Sequence, residues 1–266
     1  MPLPDRRGRE QILLVHLKNK RVSPTVDVEA VARRTPGWAG ADLARLANDA
    51  AITAVRDNVS AIGNEQLASS LETIALGRAR TSALVTERDR EITAWHEAGH
   101  TLVALNLEQA DKPVAVSITP RGPAGGVTWL SGTDDLFLTK TAALAKLAVS
   151  LGGREAEKIL LDGDFTSGAH SDLTHATRLS TAMISQYGMY EGKLTVIDDQ
   201  ALIAGGQVAD EINANAEKLL EQAAKVACEV LLQNQDKLKQ LAELLLEHES
   251  LTAEQLEKYL NKNSGL

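Results

Sequence analysis

The sequence predicts a mainly α fold with a small β-sheet: a four-helix unit, then an otherwise all-helical domain with one short β-hairpin. Three observations predict it. Apolar residues recur at steps of three and four over most of the 266 positions, the spacing that gives a helix one apolar face. Aromatic residues are only 3% of the chain, so Leu, Ala, Val and Ile must build the core, a composition that favours helix. The run Val114–Thr119 instead alternates with period two, and a turn and a second short run, Val127–Leu130, follow it.

Taken in order, Pro4-Asp5-Arg6-Arg7-Gly8 reads as a turn, and a helix over about 9–20 points Ile12, Leu13 and Leu17 inward. Ser23-Pro24 breaks it, and Asp27 can cap a second helix that runs to about Arg34. Thr35-Pro36-Gly37-Trp38-Ala39-Gly40 reads as a tight loop. A third helix, about 41–58, gathers Leu43, Leu46, Ala47, Ala50, Ala51, Ala54 and Val55 on one broad face. Asn64 can cap a fourth that carries Leu67, Leu71 and Ile74. This unit has no Gly-x-x-x-x-Gly-Lys-Ser/Thr, hence no phosphate-cradling loop of its own. Gly77-Arg78-Ala79-Arg80-Thr81 reads as a linker, so the chain divides into domains 1–80 and 81–266.

Thr86 can cap the next helix. The strands Val114–Thr119 and Val127–Leu130 flank a turn at 120–126. A helix from about Thr139 runs through Gly152-Gly153 to Glu157. Two glycines inside a helical pattern cost stability, which points to close packing against a neighbour. After a loop at 165–171, Asp172 opens a helix that stops near Tyr187-Gly188. A polar stretch at 198–206 precedes the longest helix, read as one piece from about Val208 to His248. Thr252 and Gln255 form a capping box for the last.

The net charge of -8 argues against nucleic acid as a partner. It is uneven: residues 1–80 carry 12 basic and 9 acidic groups, net +3, and the other 186 carry 16 and 27, net -11. Such a break marks two units of different character. Cys228 is the one cysteine, so no disulfide forms within the chain, which fits a cytoplasmic or equivalent reducing compartment. It is expected as a small buried apolar residue. No apolar run approaches a membrane span, and the first residues do not read as a signal peptide.

The chemistry concentrates at His96-Glu97-Ala98-Gly99-His100, an H-E-x-x-H stretch on a helix. Two imidazoles four residues apart lie one above the other on a helix face and can share a metal ion. Glu97, next to a ligand, can take a proton from water held there. Two imidazoles and one more protein donor leave a position open on zinc, the catalytic arrangement. The third donor lies in 152–157 or 169–175. Asp172 is a ligand or a carboxylate suited to a helix N-terminus. Glu157 is a ligand, a partner for a ligand histidine, or an ordinary salt-bridge residue.

Four stretches in order resemble the FtsH family, membrane-anchored, ATP-dependent zinc proteases of the AAA type. They are Thr35-Pro36-Gly37-Trp38-Ala39-Gly40-Ala41-Asp42-Leu43, the H-E-A-G-H run, Gly152-Gly153-Arg154 with Glu157, and Ser167-Gly168-Ala169 with Ser171-Asp172. The resemblance runs from Pro4 to about Tyr187, with Trp38 standing where Phe is commoner. It implies an AAA lid subdomain followed by a zincin-like peptidase domain, with one Zn2+ per chain held by His96, His100 and Asp172. Glu97 is then the general base, and Glu157 supports a ligand histidine. Gly126, Val127 and Thr128 begin an edge strand for an extended substrate. His16, Gly40 and Ala41 match positions beside the adenine of an intact ATPase. The implied activity is zinc-dependent endopeptidase action on unfolded or membrane-derived proteins, in a hexameric ring, at the cytoplasmic face of a membrane in a full-length member. Walker motifs, pore loop, arginine finger and membrane helices are absent from these 266 residues, so ATP is expected only in a full-length parent, and the chain is expected to be a fragment or a truncated relative. The alternatives are a non-catalytic assembly or adaptor module of a protease ring, against which Glu97 and the ligands stand, and an amidase acting on small molecules. His170 and His175 fall outside the family pattern and are expected to face solvent.

Overall fold

The computed structural model describes residues 3–76, 85–120, 125–132, 135, 137–190, 196–197 and 205–261. The linker at 77–81, residues 121–124 of the turn and 198–204 of the polar stretch lie outside them. The backbone gathers into two compact units, Met1–Ala83 with Thr119–Leu136, and Leu84–Ile118 with Phe137–Leu266.

In the first unit, α1 (Arg6–Leu17) starts three residues before the sequence reading. Asp5 accepts from the Gly8 N–H at 2.7 Å, which makes the Pro4–Gly8 turn the first turn of the helix. α2 (Val28–Arg33) is capped by Asp27. Fully buried Arg9 donates to the Ala32 carbonyl from Nε (3.2 Å) and Nη2 (2.8 Å) and to Pro4 from Nη1 (3.1 Å), clamping the start of α1 to the end of α2. A buried guanidinium is tolerable because carbonyls meet its donors. α3 (Gly40–Arg56) buries Leu43, Leu46, Ala47, Ala50 and Ala54. Val55, expected on that face, is 77% exposed. At 3.6 residues per turn it lies about 120° round from Leu43.

α4 (Asn64–Leu76) is not capped by Asn64, which is its first residue. That side chain accepts from the Asp27 N–H and donates to the Thr25 carbonyl, both at 3.1 Å, so it ties the start of α4 to the start of α2. The strand β2 (Val127–Leu130), second of three in chain order among the described residues, belongs to this unit. Trp129 packs on its core, and the Arg34 guanidinium lies 5.6 Å from the indole centroid.

In the second unit, Thr86 caps α5 (Glu87–Asn106) by accepting from the Asp89 N–H at 3.1 Å. β1 (Pro113–Ser117) is buried throughout and pairs antiparallel with β3 (Ser250–Thr252), Val116 opposite Leu251. β3 is too short to show a period in sequence. α6 (Lys140–Leu160), capped by Thr139, runs unbroken through both glycines. A 3-10 turn, Ser167–Ala169, leads into α7 (His170–Ser185). The long C-terminal helix is two, α8 (Gln207–Gln233) and α9 (Gln235–His248), broken at Asn234 (φ -126°, ψ 31°). The Asn234 amide donates back to the Val230 carbonyl at 2.9 Å, the local bonding that makes Asn a poor helix residue. α9 packs on α5, burying Leu238, Leu241 and Leu245. α10 (Ala253–Asn261) begins with the expected capping box: the Thr252 N–H donates to Gln255 Oε1 at 2.9 Å and the Gln255 N–H to Thr252 Oγ1 at 3.4 Å.

α5 and α6 form the centre of this unit, and α6 also carries α7 and α8. Where α5 crosses α6, backbone meets backbone. A Cβ on Gly99 would strike the Gly152 carbonyl and lie 2.6 Å from Ala156 Cβ, and one on Gly152 would lie 2.9 Å from the Gly99 carbonyl oxygen. Among the described residues no helix is long and apolar enough to cross a membrane.

Candidate metal centre

Four-residue spacing on α5 stacks His96 over His100, with ring centroids 4.7 Å apart and planes at 79°. Each ring is held by its Nδ1. His96 Nδ1–H donates to Glu157 Oε1 at 2.7 Å. His100 Nδ1 lies 2.6 Å from the Val149 carbonyl, which can only accept, so that nitrogen carries the proton. Both Nε2 atoms are thereby turned inward, 3.0 Å apart. Asp172, in the first turn of α7, places Oδ2 3.2 Å from His96 Nε2 and 3.6 Å from His100 Nε2. A point equidistant from the three atoms is about 2 Å from each, the length of a zinc–nitrogen or zinc–oxygen bond.

The donor set fits a cation and little else. Two imidazole nitrogens with their other sides committed and a carboxylate oxygen converge within 4.8 Å, so lone pairs face one another. In the metal-free chain a proton relieves this. Burial pushes the His96 pKa down, but hydrogen bonds to Asp172 and Glu157 and the charges of Glu97 and Asp172 outweigh it, raising it from 6.5 to about 10. Burial pushes Asp172 up, yet its hydrogen bonds and charge interactions with His100 and His96 hold it well below the usual carboxylate range.

Glu157, 1% exposed, lies at the far edge of the His96 ring from the cluster. Its Oε2 accepts from the Thr166 N–H at 2.7 Å. Burial raises its pKa, and the hydrogen bonds from His96 and Thr166 bring it below the ordinary value. The Arg154 guanidinium stacks 3.6 Å from the Phe165 ring, holding that loop on α6. Glu97 is 5% exposed beside His96.

The other sequence candidates lie elsewhere. Gly126 precedes β2, and Val127 and Thr128 are its first residues, in the other unit from the His–Asp cluster. Gly40, the first residue of α3, lies against Ile12, 3.8 Å from a Cβ built on it; Ile12 is one turn before exposed His16 on α1, and Ala41 is exposed. His170 and His175 are exposed, as expected. Cys228 is half-buried rather than buried, with its thiol pushed up by burial and then by the charge of Glu155. The Val149 carbonyl escapes sequence reasoning because a backbone group leaves no residue signature.

Two helix-borne imidazoles, a carboxylate from a second helix and an adjacent buried glutamate define a helical protein with an H-E-x-x-H cluster that could hold a metal ion. A family profile described as peptidase family M41 matches residues 83–259, and one described as AAA+ lid domain matches residues 25–69. The chain belongs to peptidase family M41. It is 40% identical over 259 residues to an ATP-dependent zinc metalloprotease FtsH of Halothermothrix orenii, covering 92% of this chain and 41% of that one. It is 36% identical over 277 residues to the protein of the same name from Bacillus subtilis, covering 97% and 43%. With the chloroplastic/mitochondrial ATP-dependent zinc metalloprotease FTSH 11 of Arabidopsis thaliana it shares 40% over 264 residues, covering 98% and 32%. The chain thus spans less than half the length of these curated relatives.

Proposed function

We propose that this chain is the zinc endopeptidase part of an FtsH-type protease together with its AAA lid. The observation that carries the reading is the convergence of His96 Nε2, His100 Nε2 and Asp172 Oδ2 beside buried Glu97. Those three residues would hold one Zn2+ per chain. Bound zinc supplies a Lewis acid that polarises a peptide carbonyl and acidifies water. Glu97 accepts the proton of the attacking water at its carboxylate and returns it to the leaving amine nitrogen. Glu157 holds the His96 ring in the tautomer that leaves Nε2 free for metal, and the Val149 carbonyl does the same for His100.

An extended, unfolded segment would add to β2 at Gly126, Val127 and Thr128, held through its main chain with loose sequence preference. In a longer parent with an ATPase core, His16, Gly40 and Ala41 would face the adenine. The working form would be a hexameric ring at the cytoplasmic face of a membrane. The relatives' printed names, ATP-dependent zinc metalloprotease, support the zinc and ATP parts of this reading.

The test is cleavage of an unfolded protein such as casein by the purified zinc-loaded chain, with and without a chelator. Replacing Glu97→Gln should lower the rate about 10^2–10^4-fold while zinc stays stoichiometric. Chelator-insensitive cleavage, or an active Glu97→Gln variant, would overturn the reading.

A further inference from the structure

α6 serves the two imidazoles with three residues on one stripe, spaced by four. Val149 offers the carbonyl that holds His100, and Glu157 the carboxylate that holds His96. Gly153 lies midway between them. A Cβ there would sit 2.5 Å from His96 Nε2, 2.6 Å from His100 Nε2 and 2.6 Å from His96 Cε1, against ordinary contacts of 3.4–4 Å. The two neighbouring helical glycines differ: a Cβ on Gly99 or Gly152 meets the backbone of the facing helix.

Resting on the zinc reading above, we propose that Gly153 is a positioning residue for the metal: its missing side chain sets where the two metal-facing nitrogens stand. The rings cannot simply retreat from a methyl group, because each is tethered by its other nitrogen to α6 itself, at 2.7 Å and 2.6 Å. Restoring ordinary contact requires each nitrogen to move by roughly 0.8 Å, whereas a zinc site tolerates bond-length departures of about 0.2 Å. The four-residue ladder on α6 matches the four-residue step of the histidines on α5, so one helix both aims the donors and leaves them room.

The experiment is a zinc competition titration against a calibrated chelator on the full chain and on Gly153→Ala, with melting of both metal-free forms. The expected result is zinc affinity at least about tenfold weaker in Gly153→Ala, on the scale of removing a ligand-orienting group. The metal-free variant should melt within a few degrees of the parent. Zinc should raise the melting temperature of the parent and leave that of the variant unmoved. Parent-like zinc affinity in Gly153→Ala overturns the proposal. If the metal-free variant unfolds, the same substitution is read in a His96→Ala/His100→Ala background, where the Cβ has no ring to strike. Folding there supports the proposal, and unfolding there overturns it, since the glycine would then serve helix packing. Absence of zinc from the parent itself overturns the functional reading instead.

Discussion

Half-buried Asp172 and buried Glu157 are both bonded to His96, but they bond opposite edges of its ring. Asp172 shares the cluster with both Nε2 atoms, whereas Glu157 takes only the proton on Nδ1. Asp172→Asn should therefore weaken zinc binding at least tenfold, about 1.4 kcal/mol, and Glu157→Gln by less, because it orients a ligand without donating to the metal. A chelator titration ranks them, and the reverse order would move the third donor to Glu157. The same residues set a pH dependence. The raised pKa of His96 means the metal-free fold keeps that group's stabilisation below about pH 6.5 and loses it as pH rises towards about 10. The lowered pKa of Asp172 gives stabilisation present above the ordinary carboxylate range and lost in acid. The urea midpoint of the metal-free chain should fall between pH 7 and 10, and His96→Ala should flatten that fall. Zinc must displace the His96 proton, so its affinity should drop as pH falls. At this scale the H-E-x-x-H pair was legible because ligand spacing is a local helical property. The residue pattern alone left Asp172 and Glu157 both open, since both follow glycine-containing stretches and both are acidic; the family resemblance is what pointed to Asp172.

At the scale of elements, α5 against α6 carries the site. Gly99 and Gly152 let the helices approach until backbone touches backbone. Gly99→Ala gains helix propensity worth about 1 kcal/mol, but its methyl strikes the Gly152 carbonyl and Ala156. Overpacking of that kind costs about 1–3 kcal/mol, and backbone yields less than a side chain, so net destabilisation is expected, read as a lower urea midpoint at unchanged slope. A stable Gly99→Ala chain would show that the crossing has slack. The caps at Asp27 and Thr86 and the Thr252/Gln255 box were legible, because a cap is decided within four residues. Asn64 was misassigned because its side chain finds better partners on the start of α2, distant in sequence. The break at Asn234 was hidden by an apolar pattern that continues on both sides of it.

For the molecule as a whole, the family places a lid subdomain and a peptidase domain on one chain. The sequence holds no phosphate-binding loop, so the 266-residue chain should hydrolyse no ATP and should cut flexible peptides at the same rate with or without it. Folded substrates should resist. Phosphate release above background, or cleavage accelerated by ATP, would count against reading 1–80 as a lid alone. Trp129 packs its half-buried indole on the core of the first unit, although the flanking elements belong to the second.

By itself the sequence determined what rests on short range: which stretches are helical, several of their caps, and that two histidines and a glutamate share one helix. Helix geometry converts spacing into direction without help from the rest of the fold. Only the tertiary structure shows which carboxylate stands beside both Nε2 atoms, that the Val149 carbonyl and Glu157 hold the two rings, and that β1 pairs with Ser250–Thr252. These depend on contacts between residues far apart in the chain, which no local pattern encodes.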